Sequence, residues 1–304
     1  MESPQAKGYL FEYIIQDLLK KSGYISVKTA KIKGRGGNHQ IDAYGSLLIP
    51  TPFIYPIRLI CEAKNYDKNI GLGKIRDFVG VMKDISENYI VRKNSKLERF
   101  TDSGCYFSCK GFTIDAQKYA WAQNIFLVSY NGIDQLGQIE TILDEFINFN
   151  PIRDLSKDDL LNKFKLYFKE KVKNLDVSFI IGIINKTYPV VIVGKKSLNN
   201  KMKNGLPERS DILSATKSSR QEGEFDTVFN LNILNSENIS VSVPNFIAKK
   251  IIDKIDSSKS GKKIFSVDIP VLSKIKRFVT VNVFLPEEEK LNYLNGLDNI
   301  NAEN

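Results

Sequence analysis

The sequence predicts an α/β first half, a mixed sheet flanked by helices, followed by a second α+β half rich in strands. Three observations carry this. Residues 8–23, GYLFEYIIQDLLKKSG, place Leu10, Phe11, Ile14, Ile15, Leu18 and Leu19 at helical spacing. Residues 56–64, PIRLICEAK, are a short apolar run ending in charge, as a strand does where it leaves the interior of a sheet. Beyond residue 150 the pattern changes, and DVSFIIGIIN, YPVVIVG, FDTVFNLNIL, ISVSVP, KIFSVDIPV and RFVTVNVFLP all read as strands.

The elements follow in order. Gly23 stands where the first helix should stop. YISVKTAKIKGRGG then alternates briefly and enters a glycine-rich turn, and HQIDAYGSLLI resumes as a strand. Two prolines in TPFIYP interrupt it, so a hairpin or long loop leads into PIRLICEAK. Ile75, Phe78, Val79, Met82 and Ile85 predict a helix over 72–90, followed by a polar stretch from Arg92 to Ser103. GCYFSCKG reads as a buried strand, FTIDAQKYAWAQN as a helix with Tyr119 and Trp121 in the core, and NIFLVSY as a closing strand. A boundary near 145–160 divides the chain into 1–150 and 151–304. The second part should hold helices at 157–173 and 244–256 and form either an α+β fold or a partly open barrel. KKSLNNKMKNGLPERSDILSATKSSRQEGE reads as a linker, a lid or a partner-binding loop.

Composition limits the classes of function. Hydrophobic residues make up 42% of 304, with 18 Phe and 13 Tyr, which is enough for a core and excludes a wholly disordered chain. A net charge of +9 fits a polyanionic partner without assigning one, and the basic excess is shared by both halves. Three cysteines, Cys61, Cys105 and Cys109, are too few and too oddly spaced for a disulfide framework or, with one histidine, a zinc knuckle. No apolar run reaches transmembrane length and the N-terminus lacks a signal-peptide core, so a soluble cytoplasmic protein without membrane association is expected.

The chemistry concentrates at CEAK. Glu62 and Lys64 are two apart on a strand and share a face. A hairpin would bring Asp42, on the preceding segment, close to Glu62. Two carboxylates at one point need a counter-charge. Mg²⁺, or Mn²⁺ in its place, could take Asp42, Glu62 and the Ala63 carbonyl as ligands and keep several waters. A metal there polarises a phosphoryl oxygen and acidifies a bound water. Lys64 could orient that water or stabilise charge on the phosphate. The same Glu-x-Lys pattern also occurs as a surface salt bridge.

Gln40, at i−2 from Asp42, shares its side of an extended segment and could meet substrate, whereas His39 alternates away. From Lys20 to Gln40 the chain carries six basic residues and no acid. Of these, Lys31, Lys33 and Arg35 flank the Gly34–Gly37 turn and could contact phosphates, the plainer reading being a solvated basic loop.

The order GYLFEYIIQDLLKKSGY, GRGGNHQIDAYG, LICEAK, FTIDAQKYAWAQNIFLVS resembles the Mrr-like branch of the PD-(D/E)xK restriction-endonuclease superfamily over roughly residues 5–130. The resemblance implies a restriction-endonuclease-like sheet and divalent-metal-dependent DNA cleavage. Asp42 matches the family's first aspartate, and Glu62 and Lys64 match its E-x-K pair. Glu12, after Phe11, matches a helix glutamate that reaches the metal site, although pattern alone favours a solvated or capping role. The sequence departs from the family in having GGNHQID before the site and in the long apolar insert SLLIPTPFIYP, which could extend the hairpin or pack on the second domain.

The expected activity is a DNA endonuclease of restriction or anti-phage defence. The alternatives are a non-catalytic DNA-binding or assembly subunit and an RNA-cleaving nuclease. Expected partners are DNA, further copies of the chain, or a defence-associated ATPase or regulatory subunit. Residues 151–304 would serve DNA recognition, partner binding or oligomerisation.

Overall fold

The structure, a computed structural model, describes residues 3–47, 55–88, 99–130, 134–152, 155–175, 178–184, 188–195, 212–222, 226–233, 237–253, 262–272, 276–286 and 291. Two compact units emerge, the first from residues 1–127 with 140–169, the second from 128–139 with 170–304.

The first unit opens with helix α1 (Ser3–Lys21), which buries the predicted apolar stripe from Leu10 to Leu19. Gly23, at φ 89°, ends it. The Tyr24 N–H reaches back to the Leu19 carbonyl and the Gly23 N–H to that of Lys20, the paired bonds of a left-handed helix stop. Strands β1 (Ile25–Lys33), β2 (Asn38–Leu47), β3 (Ile57–Lys64), β4 (Thr101–Ser108) and β5 (Ile125–Ser129) form one sheet in sequence order. β1, β2 and β3 pair antiparallel, while β3 and β4 pair parallel, which makes the sheet mixed. The parallel pair requires a crossover, supplied by helix α2 (Leu72–Glu87). Helix α3 (Ile114–Ala122) starts at Thr113, whose hydroxyl accepts from the Ala116 N–H.

The core between α2, α3 and the sheet contains Ile41, Ile60, Ile75, Phe78, Tyr106, Phe112 and Ala116. Tyr106 stands edge-on between Phe78 and Phe112, with centroids 5.6 and 5.9 Å away. Tyr119 packs at its border as expected, and all three cysteines are buried and free.

Helix α4 (Asp134–Phe149) was not anticipated, although Ile139, Ile142, Leu143, Phe146 and Ile147 repeat at helical spacing and are buried. Helix α5 (Lys157–Asn174) falls where a helix was predicted. Ser156 caps it by accepting from the Asp159 N–H. Leu160, Phe164 and Phe168 are its buried stripe, and Phe164 and Phe168 meet Tyr13 of α1.

In the second unit seven strands close into a barrel: β6 (Ser178–Ile184), β7 (Tyr188–Gly194), β8 (Ile212–Glu222), β9 (Asp226–Ile233), β10 (Glu237–Pro244), β11 (Lys262–Leu272) and β12 (Lys276–Pro286). Their order is β10-β7-β6-β11-β12-β8-β9, with β9 pairing back to β10. Helix α6 (Asn245–Asp253) follows β10. The barrel is closed rather than partly open because β8 contributes a strand from within the polar segment expected to be a linker or lid. β8 lies parallel to β12 and antiparallel to β9. The rest of that segment (196–211 and 223–224) and residues 48–54 of the apolar insert lie outside the described residues. Among the described residues, no helix is long and apolar enough to cross a membrane.

One polar contact ties the first sheet together. Arg58 of β3 grips Asp102 of β4 with two bonds, Nε at 2.6 Å and Nη2 at 2.9 Å, and the Ser86 hydroxyl of α2 adds a third at 2.9 Å. The Asp102 side chain is only 5% exposed, so these donors replace the water it has lost. Arg58→Ala should cost about 3–5 kcal/mol, read as a lower midpoint of the first urea transition.

Candidate active site

The site forms where β2 and β3 part. Backbone pairing of these strands ends at Ala43↔Cys61. Beyond that point the side chain of Asp42 takes over, and its Oδ2 accepts the Ala63 N–H at 3.0 Å. Asp42 itself sits in a bulge. On β1 the register advances two residues, Lys28 to Ala30, while on β2 it moves three, Tyr44 to Ile41, so Asp42 and Ala43 together oppose Thr29. The bulge explains why Ile41 and Tyr44, three apart, both pack on the α2–α3 core. The Asp42 carbonyl is fixed by the Thr29 hydroxyl at 3.1 Å and by Gln16 Nε2 of α1 at 3.3 Å.

Lys64 projects from the end of β3 between two carboxylates. Its Nζ lies 3.0 Å from Asp42 Oδ2 and 2.5 Å from Glu62 Oε1. Glu62 and Lys64 thus share a face as predicted. Their titration is unequal. Burial pushes the Glu62 carboxyl up, with Asp42 adding to the shift, and Lys64 only partly offsets it. Burial acts against the Lys64 ammonium, yet Glu62 and Asp42 together carry its pKa above the ordinary lysine value. One ammonium gains from two carboxylates, while Glu62 has to share it with Asp42.

Glu12 of α1 completes the group. Burial, then the charge of Asp42, raises its carboxyl to about 7. Its nearest cation is Lys157 of α5, at 3.9 Å. Sequence reasoning missed Lys157, whose only signal is its place one turn before the apolar stripe of α5.

The remaining expected residues lie on the β1–β2 hairpin. Exposed Lys31 stands opposite Gln40, and exposed Lys33 opposite Asn38. Arg35 pairs with Glu87 at 3.2 Å. None of these four makes a hydrogen bond or ion pair to Asp42, Glu62 or Lys64 among the described residues. Asp84 of α2 holds the turn between the strands. It binds His39 Nε2 at 2.6 Å and the Gly36 N–H at 2.7 Å, and its carbonyl takes the Arg35 N–H. A Cβ on Gly34 would collide with the Asp84 carboxylate, so this approach needs glycine. His39, expected to alternate away from Asp42, serves this turn.

The donor set is entirely carboxylate oxygen, the chemistry of Mg²⁺ or Mn²⁺ rather than of zinc. No described group of three or more His, Cys, Asp or Glu residues stands close enough to hold a metal ion by itself. A hard cation that keeps most of its water needs only one or two carboxylates, and Asp42 and Glu62 fit that role. Ala63, expected to offer its carbonyl, uses its N–H to hold Asp42.

One family model matches the part of the chain that carries this site. Residues 4–136 match the Mrr-type catalytic domain, a restriction endonuclease family. This segment resembles a restriction endonuclease domain. The match runs from α1 into the start of α4 and includes Glu12, Asp42, Glu62 and Lys64, while the barrel and α5 lie outside it. No curated protein matches the chain significantly. The crystal structure of AF1548, a protein of unknown function, aligns at 16% identity over 55% of this chain and 99% of that one, with a TM-score of 0.35.

A carboxyl raised to about 7 binds its proton more tightly in the folded first unit than in the unfolded chain, where it titrates near 4.5. Metal-free stability therefore falls as pH climbs from about 4.5 through 7. Glu12→Gln removes this penalty and should raise Tm by a few degrees in EDTA at pH 8, with little change at pH 4.5. Equal shifts at both pH values in thermal melts would rule out the charge as the cause.

Proposed function

We propose that the protein is a divalent-metal-dependent endonuclease that hydrolyses phosphodiester bonds of DNA, serving restriction or defence. The observation that carries this reading is the Lys64 ammonium held between Asp42 and Glu62 at the splayed end of β2 and β3, inside a segment that matches a restriction endonuclease family.

A bound Mg²⁺ or Mn²⁺ would offset the crowded negative charge and supply Lewis-acid polarisation of a phosphoryl oxygen. Asp42 and Glu62 would hold it, with the Ala63 carbonyl as a further oxygen. The protein's own groups divide the remaining work. Asp42, with its backbone locked by Thr29 and Gln16, presents its carboxylate in a fixed direction. Lys64, with its charged form favoured, is suited to hold an attacking water or to stabilise charge on the phosphate rather than to donate its proton. Glu12, whose carboxyl feels the charge of Asp42, would serve as an outer carboxylate.

Lys31 and Lys33, with Gln40 opposite Lys31, lie along one hairpin and are suited to meet the DNA backbone. Arg35 could join them by giving up Glu87, since an exposed pair of this kind contributes little. The strand-rich unit is assigned, on the same reading, to recognition of DNA or of a restraining partner subunit.

With Mg²⁺, purified protein should nick or linearise plasmid DNA, and EDTA should stop it. Glu62→Ala and Lys64→Ala should each lower the rate by about 10²–10³-fold without loss of fold. Undiminished cleavage by both variants would refute the assignment. In Ca²⁺, Lys31→Ala with Lys33→Ala should reduce the slope of log binding constant against log salt by about 0.9 for each phosphate no longer neutralised, while in Mg²⁺ cleavage of saturating DNA should be preserved. An unchanged slope would remove the hairpin from the DNA path.

A further inference from the structure

Helix α5 lies beyond the segment that matches the restriction endonuclease family, yet its first residue reaches Glu12 of α1. On α5 the buried stripe is Leu160, Phe164 and Phe168. Continued one turn toward the N-terminus, that stripe falls on Lys157. The helix cannot easily turn away. Phe164 and Phe168 are wedged against Tyr13, with centroids 5.9 and 6.3 Å away, and Phe164 lies 5.1 Å from Phe146 of α4. Ser156 fixes the first turn through the Asp159 N–H. At this position the Lys157 side chain is 40% exposed, so its head group is free to take a polar partner. The ammonium of Lys157 sits 3.7 Å from the centroid of the Tyr9 ring and 3.9 Å from Glu12 Oε2. Tyr9 and Glu12, three apart, share a face of α1, and Gln5 Nε2 steadies the Tyr9 hydroxyl at 3.2 Å.

We propose that Lys157 is a positioning residue of the nuclease site, its ammonium seated on the Tyr9 ring so that it fixes the Glu12 carboxylate beside Asp42. The proposal rests on the phosphodiesterase reading and adds a member to its site. Lys157 acts through Glu12 and does not touch the reacting atoms. Among the cations that favour the charged form of Glu12, Lys157 acts more strongly than Lys64. The aromatic seat matters because a free lysine side chain has many rotamers, and an ammonium held over a ring has few.

The test uses the full chain and four variants, Lys157→Met, Lys157→Arg, Glu12→Gln and the Glu12→Gln, Lys157→Met double. In EDTA, Lys157→Met should lower Tm in the wild-type background and leave it unchanged in the Glu12→Gln background. At saturating Mg²⁺ and DNA, Lys157→Met should lower kcat by about tenfold with KM for DNA nearly unchanged, Lys157→Arg should recover most of the loss, and the effect should vanish when Glu12 is Gln. The salt slope of DNA binding should stay as in wild type.

A fall in that slope by about one phosphate's worth, with the kcat loss persisting in the Glu12→Gln background, would make Lys157 a DNA-binding residue and overturn the proposal. So would a lower Tm with undiminished kcat, the mark of a purely structural lysine. A wild-type chain that cleaves no DNA would sink the nuclease reading and this proposal with it. An active wild type indistinguishable from Lys157→Met would sink this proposal alone.

Discussion

Everything at the candidate site depends on the carboxylate of Asp42 standing in for a backbone partner. Where β2 and β3 part, the Ala63 N–H would be left without an acceptor in a buried place, a cost comparable to a lost hydrogen bond. Asp42 fills that gap and thereby binds the strand that carries Glu62 and Lys64 to the strand that carries itself. Its backbone is reached from the other side by α1 through Gln16 and by β1 through Thr29. Four elements therefore meet at one residue. The bulge at Asp42 and Ala43 turns the side chain out of the regular alternation and into this gap.

The electrostatic arrangement follows. Glu12, Asp42 and Glu62 are gathered in partly buried surroundings with Lys64 as the central cation and Lys157 at the margin. The two glutamates are harder to ionise than in water, whereas Lys64 is harder to neutralise. A fold selected for stability alone would have no reason to crowd carboxylates in this way, since replacing buried charges with apolar side chains is often neutral or favourable. The crowding makes sense as a place built for additional positive charge, which fits a segment matching a restriction endonuclease family.

Local pattern made part of this readable in advance. The stripe of α1, the stop at Gly23, the Glu62–Lys64 pair and the likeness to the Mrr-type family were visible as spacing and motif, and the structure brings Glu12, Asp42, Glu62 and Lys64 together. The bulge was not visible, because one extra residue in a strand leaves no mark on periodicity until its partner is known. Asp84 was hidden for a similar reason, since it reaches the glycine turn across 48 residues of chain. The polar run that forms β8 has no apolar alternation, and its pairing with β12 and β9 is set by closure of the barrel. Helix α4 could have been found, for its buried residues repeat at helical spacing just before the compositional break. Lys157 looked like the start of another domain's helix, and only the packing of Phe164 and Phe168 on Tyr13 brings it to α1.

The two sheets end differently. The barrel closes on itself, so each of its strands has neighbours on both sides. The sheet of the first unit is open, and β1 forms one rim. An open rim carries a row of backbone donors and acceptors that another chain's strand could copy, the usual first step toward aggregation. β1 meets that hazard with exposed lysines at 28, 31 and 33, which make docking of a second copy a meeting of like charges. The same residues that suit a polyanion thus act as solubility guards, and engineering this hairpin toward neutrality would cost colloidal stability.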